Sequence, residues 1–217
     1  MRVLFNQEIE ELLKKFNQMA ALVDEAIYDS VKSFVNHDKD LAKKVIDNDY
    51  KINDLEKEID VECTGLIALQ QPNTSDLRKI MMILTASSDL ERMADHAVSI
   101  SQATIRLKGS KRSNRTEKLL SDMSEIIKWM VQQITVALTN FDMEHAMDVA
   151  SRDDEIDNYD HEIRKIATER MESNPDVVSG GMDYVLVSSY IERIGDYVTN
   201  LAECLVYLET GENRELN

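Results

Sequence analysis

Two five-residue acidic motifs, Glu91-Arg92-Met93-Ala94-Asp95 and, 101 residues later, Glu192-Arg193-Ile194-Gly195-Asp196, each lie in a long stretch of heptad-like patterning. The likeness extends beyond the motifs. Ser87-Ser88-Asp89-Leu90 precedes the first and Ser188-Ser189-Tyr190-Ile191 the second. Upstream, the segment from Asp49 to Glu56 matches the one from Asp153 to Asp160 at an offset of 104, a difference that one loop indel explains. A period of this length is too long for a solenoid and fits two copies of a three-helix unit. The two units are read as residues 1–110 and 115–217.

The hydrophobic spacing sets the fold class as all-α, two pseudo-symmetric three-helix bundles. Tyr184, Val187, Ile191, Ile194, Val198, Leu201, Leu205 and Leu208 follow an unbroken 3-4 alternation, the seam of helices packed side by side. Ile83, Ala86, Leu90, Met93, Ala97, Ile100, Thr104 and Leu107 repeat it in the first half, and Ile9, Leu13, Phe16, Ala20, Val23, Ile27, Ser30 and Phe34 keep the same rhythm near the start. Six Gly and two Pro in 217 residues leave long helices uninterrupted. Six helices are predicted, over 6–36, 39–70, 76–108, 116–141, 144–173 and 181–210. The polar, basic run from Lys108 to Arg115 is expected to be a solvated connection between the halves.

A net charge of −16 excludes direct nucleic-acid binding, which needs a basic face to release counterions from phosphates. The opening residues turn polar at Gln7 and Glu8, too early for the core of a signal peptide, and no stretch approaches a spanning helix, so a cytoplasmic location is expected. Cys63 and Cys204 stand singly and read as thiols in a reducing compartment.

The acidic residues carry the candidate chemistry. With Ile191 and Ile194 in the seam, Glu192 and Asp196 project four residues apart from one stripe beside it, which Asn200 and Glu203 continue. The first-half stripe is Glu91, Asp95, Ser99 and Gln102. Asp49, Asn53, Glu56 and Asp60 share one flank of the second helix, and Asp153, Asp157 and Asp160 one flank of the fifth. Two such stripes on antiparallel neighbours face each other across a groove. Their all-oxygen ligand set suits hard cations such as Mg²⁺, Ca²⁺, Mn²⁺ or iron. The alternative is a solvated acidic face balanced by Arg92 and Arg193.

Together these residues resemble the PhoU family, the phosphate-uptake regulators that accompany bacterial phosphate ABC transporters. The likeness rests on the motifs at Glu91/Asp95 and Glu192/Asp196, on the Asp49/Asn53 and Asp153/Asp157 partners, on the duplication, and on the closing run from Tyr207 to Glu212. The resemblance implies a cytoplasmic, homodimeric negative regulator of phosphate uptake and phosphate-starvation signalling. It implies metal (iron, magnesium, manganese or zinc) held by Asp49, Asn53, Glu91, Asp95, Asp153, Asp157, Glu192, Asp196 and Asn200. It also implies two partners, the transporter's ATPase subunit and a phosphate-sensing histidine kinase, with membranes met only through them. Ser99 in place of Asn200, and Asn53 in place of Asp157, mark the first site as the weaker.

Catalysis is not expected. A carboxylate-bridged metalloenzyme in a helical bundle ordinarily uses Glu-x-x-His pairs, and the chain has none. His37, His96, His145 and His161 therefore read as surface or corner residues. A purely structural coiled-coil scaffold accounts for the seams but not for the duplicated acids.

Overall fold

The computed structural model describes residues 2–107, 112–212 and 214–216 and, apart from residues 2–4, their side chains. Its long helices are α1 (Arg2–Asn36), α4 (Thr74–Arg106), α5 (Asn114–Asn140) and α8 (Val178–Thr210). Two helix pairs separate them: α2 (Lys39–Asn48) with α3 (Tyr50–Gln70), and α6 (Met143–Ala150) with α7 (Asp153–Ser173). A 3-10 turn at Pro175–Val177 leads into α8. No strand occurs among the described residues.

The corners follow from local chemistry. His37 and Phe141 each end a helix in the left-handed region at φ 55°, at equivalent places in the two halves. The next residue caps the following helix: Asp38 accepts from the amides of Asp40 and Leu41, and Asp142 from that of His145. Asn73 and Ser113 cap α4 and α5 in the same way.

The second and fifth predicted helices are each divided in two. At Asp49 the backbone amide reaches back three residues to the Ile46 carbonyl, and at Arg152 to that of Val149, so each helix tightens for one turn and changes direction. Neither Pro nor Gly marks these places, so the sequence reads straight through them.

Each half is a three-helix bundle, and the bundles lie against each other. In the first, α1 packs on α3 and α4; in the second, α5 packs on α7 and α8. Between them α1 meets α5 and α4 meets α8. The pair α4/α8 is antiparallel: Arg78 reaches the Leu208 carbonyl at 3.4 Å near one end, and Arg106 approaches Asp183 at 3.8 Å near the other. Every seam residue of α4 and α8 is buried, as expected, and one continuous apolar core runs through both halves. The middle of the α4/α8 contact, at Ala94 and Gly195, is a pseudo-twofold axis relating the two acidic motifs.

Residues 108–111 of the basic connection lie outside the described residues; its end stays exposed at Arg112 but is anchored there by hydrogen bonds. The Arg112 guanidinium donates to the Val35 carbonyl at 2.6 Å and to Glu117 at 2.9 and 3.0 Å. Glu117, only 5% exposed, also accepts from Tyr184 Oη at 2.8 Å and lies 3.4 Å from His37 Nε2. Tyr184 Oη in turn accepts from the Ser113 amide. Burial pushes the Glu117 carboxyl up, but the donors, led by Arg112, outweigh it and hold the carboxyl below its ordinary value. This knot ties α1, the connection, α5 and α8 together.

Candidate functional site

The acids nearest the core sit at seam positions themselves. Ala42, Val45, Asp49, Ile52, Glu56, Ile59, Cys63 and Leu66 form one 3-4 series along α2 and α3, and Ala146, Val149, Asp153, Ile156, Asp160 and Ile163 form its counterpart along α6 and α7. The apolar members are buried. Asp49, Glu56, Asp153 and Asp160 are therefore carried toward the neighbouring long helix, where Asp153 and Asp160 reach 5% and 9% exposure. Glu91 and Asp95 on α4, and Glu192 and Asp196 on α8, flank their own seams and meet these acids from the other side.

In the first half the structure brings together Asp49, Asn53, Glu91 and Asp95, with Glu56 as a further member. Asn53 Nδ2 donates to Asp49 Oδ2 at 2.9 Å, while Asp49 Oδ1 and Asn53 Oδ1 are buried acceptors that receive no hydrogen bond. Burial raises the Glu91 carboxyl, and the charges of Asp95, Glu56 and Asp49 raise it further. The Asp49 carboxyl is raised by burial and by Asp95, against the bond from Asn53. Arg92 turns away to Asp89 at 3.3 Å.

The second half gathers Asp157, Glu192 and Asp196, with Asp160 as the added member. Burial raises the Glu192 carboxyl, reinforced by Asp196, Asp160 and Asp157, and Asp196 is raised by burial and Asp157 against the pull of Arg193. Asp160 is anchored, accepting from Arg164 Nε and Ser188 Oγ. Asp153 packs onto the backbone of α8: a Cβ at Gly195 would come 2.5 Å from its Oδ1. Ala94 holds the equivalent place in the first half, and there Asp49 stays half-buried.

Asn200 is not brought to this cluster. It is exposed and lines a cleft with Glu203, Cys204, Tyr207, Arg214 and Glu215, one turn further along α8. His96, read from the sequence as a surface or corner residue, is half-buried on α4, stacked on Tyr190 and Tyr197 with ring centroids 5.6 and 5.9 Å away. Burial and the nearby Arg193 charge lower its pKa against the pull of Asp95. Glu56 and Asp160 are the residues whose importance the sequence left unweighted. Their signal was an acid standing on the 3-4 seam itself.

The two oxygen-rich faces converge with carboxyls raised by burial and then by one another, a like-charge arrangement whose repulsion a divalent ion would offset. Among the described residues no three His, Cys, Asp or Glu side chains stand where they could together hold a metal ion. No helix of the described residues is long and apolar enough to cross a membrane.

The PhoU domain family model matches the chain twice, over residues 16–104 and 120–205. A phosphate-specific transport system accessory protein PhoU homolog of Streptococcus pneumoniae is 34% identical over 217 residues, covering all of both chains. The Pseudomonas aeruginosa homolog of the same name is 33% identical over 208 residues, 95% of this chain and 86% of its own. The crystal structure of the phosphate transport system regulatory protein PhoU from Streptococcus pneumoniae superposes with a TM-score of 0.90 at 32% identity, covering 97% of this chain and 99% of that one. That of PhoU from Pseudomonas aeruginosa superposes at 0.91 and 31%, covering 96% and 100%. These are the names of accessory and regulatory proteins rather than enzymes. With both repeats matched and the fold shared along nearly its whole length, the chain belongs to the PhoU family.

Proposed function

We propose that the protein is a regulator of phosphate transport, acting without catalysis as a cation-binding adaptor that restrains phosphate uptake and phosphate-starvation signalling when phosphate is plentiful. The relatives' names support the phosphate-transport role. The adaptor's partners, on the family resemblance, are the transporter's ATPase subunit and a phosphate-sensing histidine kinase.

The observation that carries the cation reading is the convergence, twice, of seam acids from α2/α3 or α7 with motif acids from α4 or α8. Asp49, Asn53, Glu91 and Asp95 would hold the cation in the first half, and Asp157, Glu192 and Asp196 in the second, with Asp153 behind them. The two buried, unfilled oxygens of Asp49 and Asn53 fit a hard cation as ligand. A bound cation supplies positive charge. The protein's own residues supply its seat, and drawing α3 to α4 and α7 to α8 holds a docking face in one shape.

The test is elemental analysis of untagged protein beside E91Q/D95N and E192Q/D196N, with each variant also returned to a deletion strain. Each pair is expected to lower metal content and to leave phosphate-starvation genes active in phosphate-rich medium. Metal content indistinguishable from chelator-treated protein in the unaltered chain refutes the cation reading. Full regulation by a chain carrying all four substitutions detaches it from function.

A further inference from the structure

The internal duplication lets one repeat report what the other lacks. Through the first helices the halves correspond at an offset of 104: α1 and α5 end at Asn36 and Asn140, and His37 and Phe141 follow in the same left-handed conformation. Toward the N-terminal ends of α1 and α5 this correspondence sets acids against bases. Glu8 stands where Arg112 does, and Glu11 where Arg115 does, while α3 and α7 carry Glu58 and Glu162 at one common place. In the second repeat Arg115 donates to Glu162 at 2.9 Å and ties α5 to α7. The first repeat offers Glu11 and Glu58 for the same bridge, and two carboxylates cannot make it.

The cation that does lie there is already engaged. Lys15 spans Glu58 at 2.8 Å and Glu62 at 2.6 Å. Among the described residues Glu11 pairs with Lys14 on its own helix, at 3.4 Å with both side chains 72% exposed. Glu8 keeps a buried oxygen, Oε2, that receives no hydrogen bond.

Below this rim the surface is apolar and open. A groove of about 380 Å³ runs between α1 and α3, with Glu8, Glu11 and Glu62 along its edges and Gly65, Leu66 and Leu69 along its floor. Leu69 is 82% exposed, and Val61, two turns back on α3, 69%. A Cβ placed on Gly65 would meet nothing within 4 Å. The second repeat has Glu169, Arg170 and Ser173 at the three floor positions, so the apolar floor belongs to the first repeat alone.

We infer that this groove is a docking site for a cationic amphipathic helix of a partner protein. The partner's leucine-like side chains pack into the space at Gly65 and cover Leu69, and its arginines or lysines take the place beside Glu8 and Glu11 that Arg115 fills in the second repeat. Charge complementarity favours this occupant over a second copy of the chain, whose net charge of −16 opposes approach to an acidic rim.

The test measures anisotropy of a labelled helical peptide with lysine and arginine on one face and leucine on the other, against full-length protein in chelator. A second peptide keeps the leucines and carries glutamate in place of the bases. The unaltered chain is expected to bind the basic peptide and not the acidic one. E8K/E11K and G65L, the latter filling the floor, are each expected to weaken binding about tenfold. E125K/E169K, an equal charge change on exposed sites of the second repeat, is expected to change it less than about twofold. Circular dichroism checks that each variant keeps its helix content. Equal weakening by the two double reversals, or no effect of G65L with the fold intact, overturns the inference. So does a dimer in sedimentation that E8K/E11K dissolves, because the occupant is then a second copy.

Discussion

Replacing Glu117 with glutamine tests how firmly the two repeats are bound together. The side chain keeps its shape but loses its charge, and its new amide N–H groups turn toward the Arg112 guanidinium, donor against donor. Bonds to a buried charged acceptor are worth about 1.5–3 kcal/mol each. The Arg112 share must be discounted, because that side chain is 47% exposed and rehydrates when released, which leaves about 0–1 kcal/mol. The buried Tyr184 bond weakens to a neutral one, at a cost of roughly 1 kcal/mol. The sum is about 1–2 kcal/mol, or about 2–8 °C in Tm for a chain of this size. Because the folded pKa of Glu117 is depressed, its contribution is fully present above the ordinary value of 4.5 and is lost as pH falls through the native value. Unfolding of the two proteins in urea from pH 7 downward should show a constant gap that closes in acid. A gap below about 0.5 kcal/mol at pH 7, or one unchanged at the acid end, refutes the reasoning.

The crowded carboxylates carry the opposite sign. Asp49, Glu91, Asp157, Glu192 and Asp196 are all raised, so the folded chain binds protons more tightly than the unfolded one. In chelator, stability should therefore rise as pH falls through the raised native values toward the ordinary ones of 3.8 and 4.5, and thermal unfolding over that descent decides it; a flat profile would mean that neither burial nor the neighbouring charges raise these carboxyls. At Gly195, alanine gains about 1 kcal/mol of helix propensity but drives its Cβ against Asp153, an overpacking cost of about 1–3 kcal/mol. The expected result is a net loss of about 1 kcal/mol with Asp153 displaced outward in a crystal structure; a gain in stability with Asp153 unmoved contradicts it.

The long helices were legible because a 3-4 apolar alternation has few other solutions. All eight seam residues from Tyr184 to Leu208 are buried, and Thr104, the polar member of the α4 seam, is buried too, with its hydroxyl on the Ile100 carbonyl. The turns at Asp49 and Arg152 were not legible, since a single backbone bond to the third residue back leaves no mark in composition. The acids were found but placed one step too far out. Read as a flank, Asp49, Asn53, Glu56 and Asp60 form one acidic stripe facing a groove, whereas Asp49 and Glu56 replace apolar residues on the seam and Asp60 is exposed. Asn200 belongs to the same stripe by spacing, yet the stripe runs past the end of the facing acids. Arg112 was hidden by its neighbours: in a run of basic residues nothing distinguishes the one that a buried glutamate will hold.

The shared core at the pseudo-twofold axis governs behaviour on dilution. A chain cut between α4 and α5 would leave each fragment with an uncovered apolar side, α1 and α4 on one and α5 and α8 on the other. Folding of either would then depend on meeting the complementary fragment or a second copy of itself. Joined through the segment that ends at Arg112, each repeat experiences its partner at an effective concentration on the order of millimolar, whatever the protein's abundance. The fused chain thus holds its two acidic faces at one fixed spacing even where the protein is scarce.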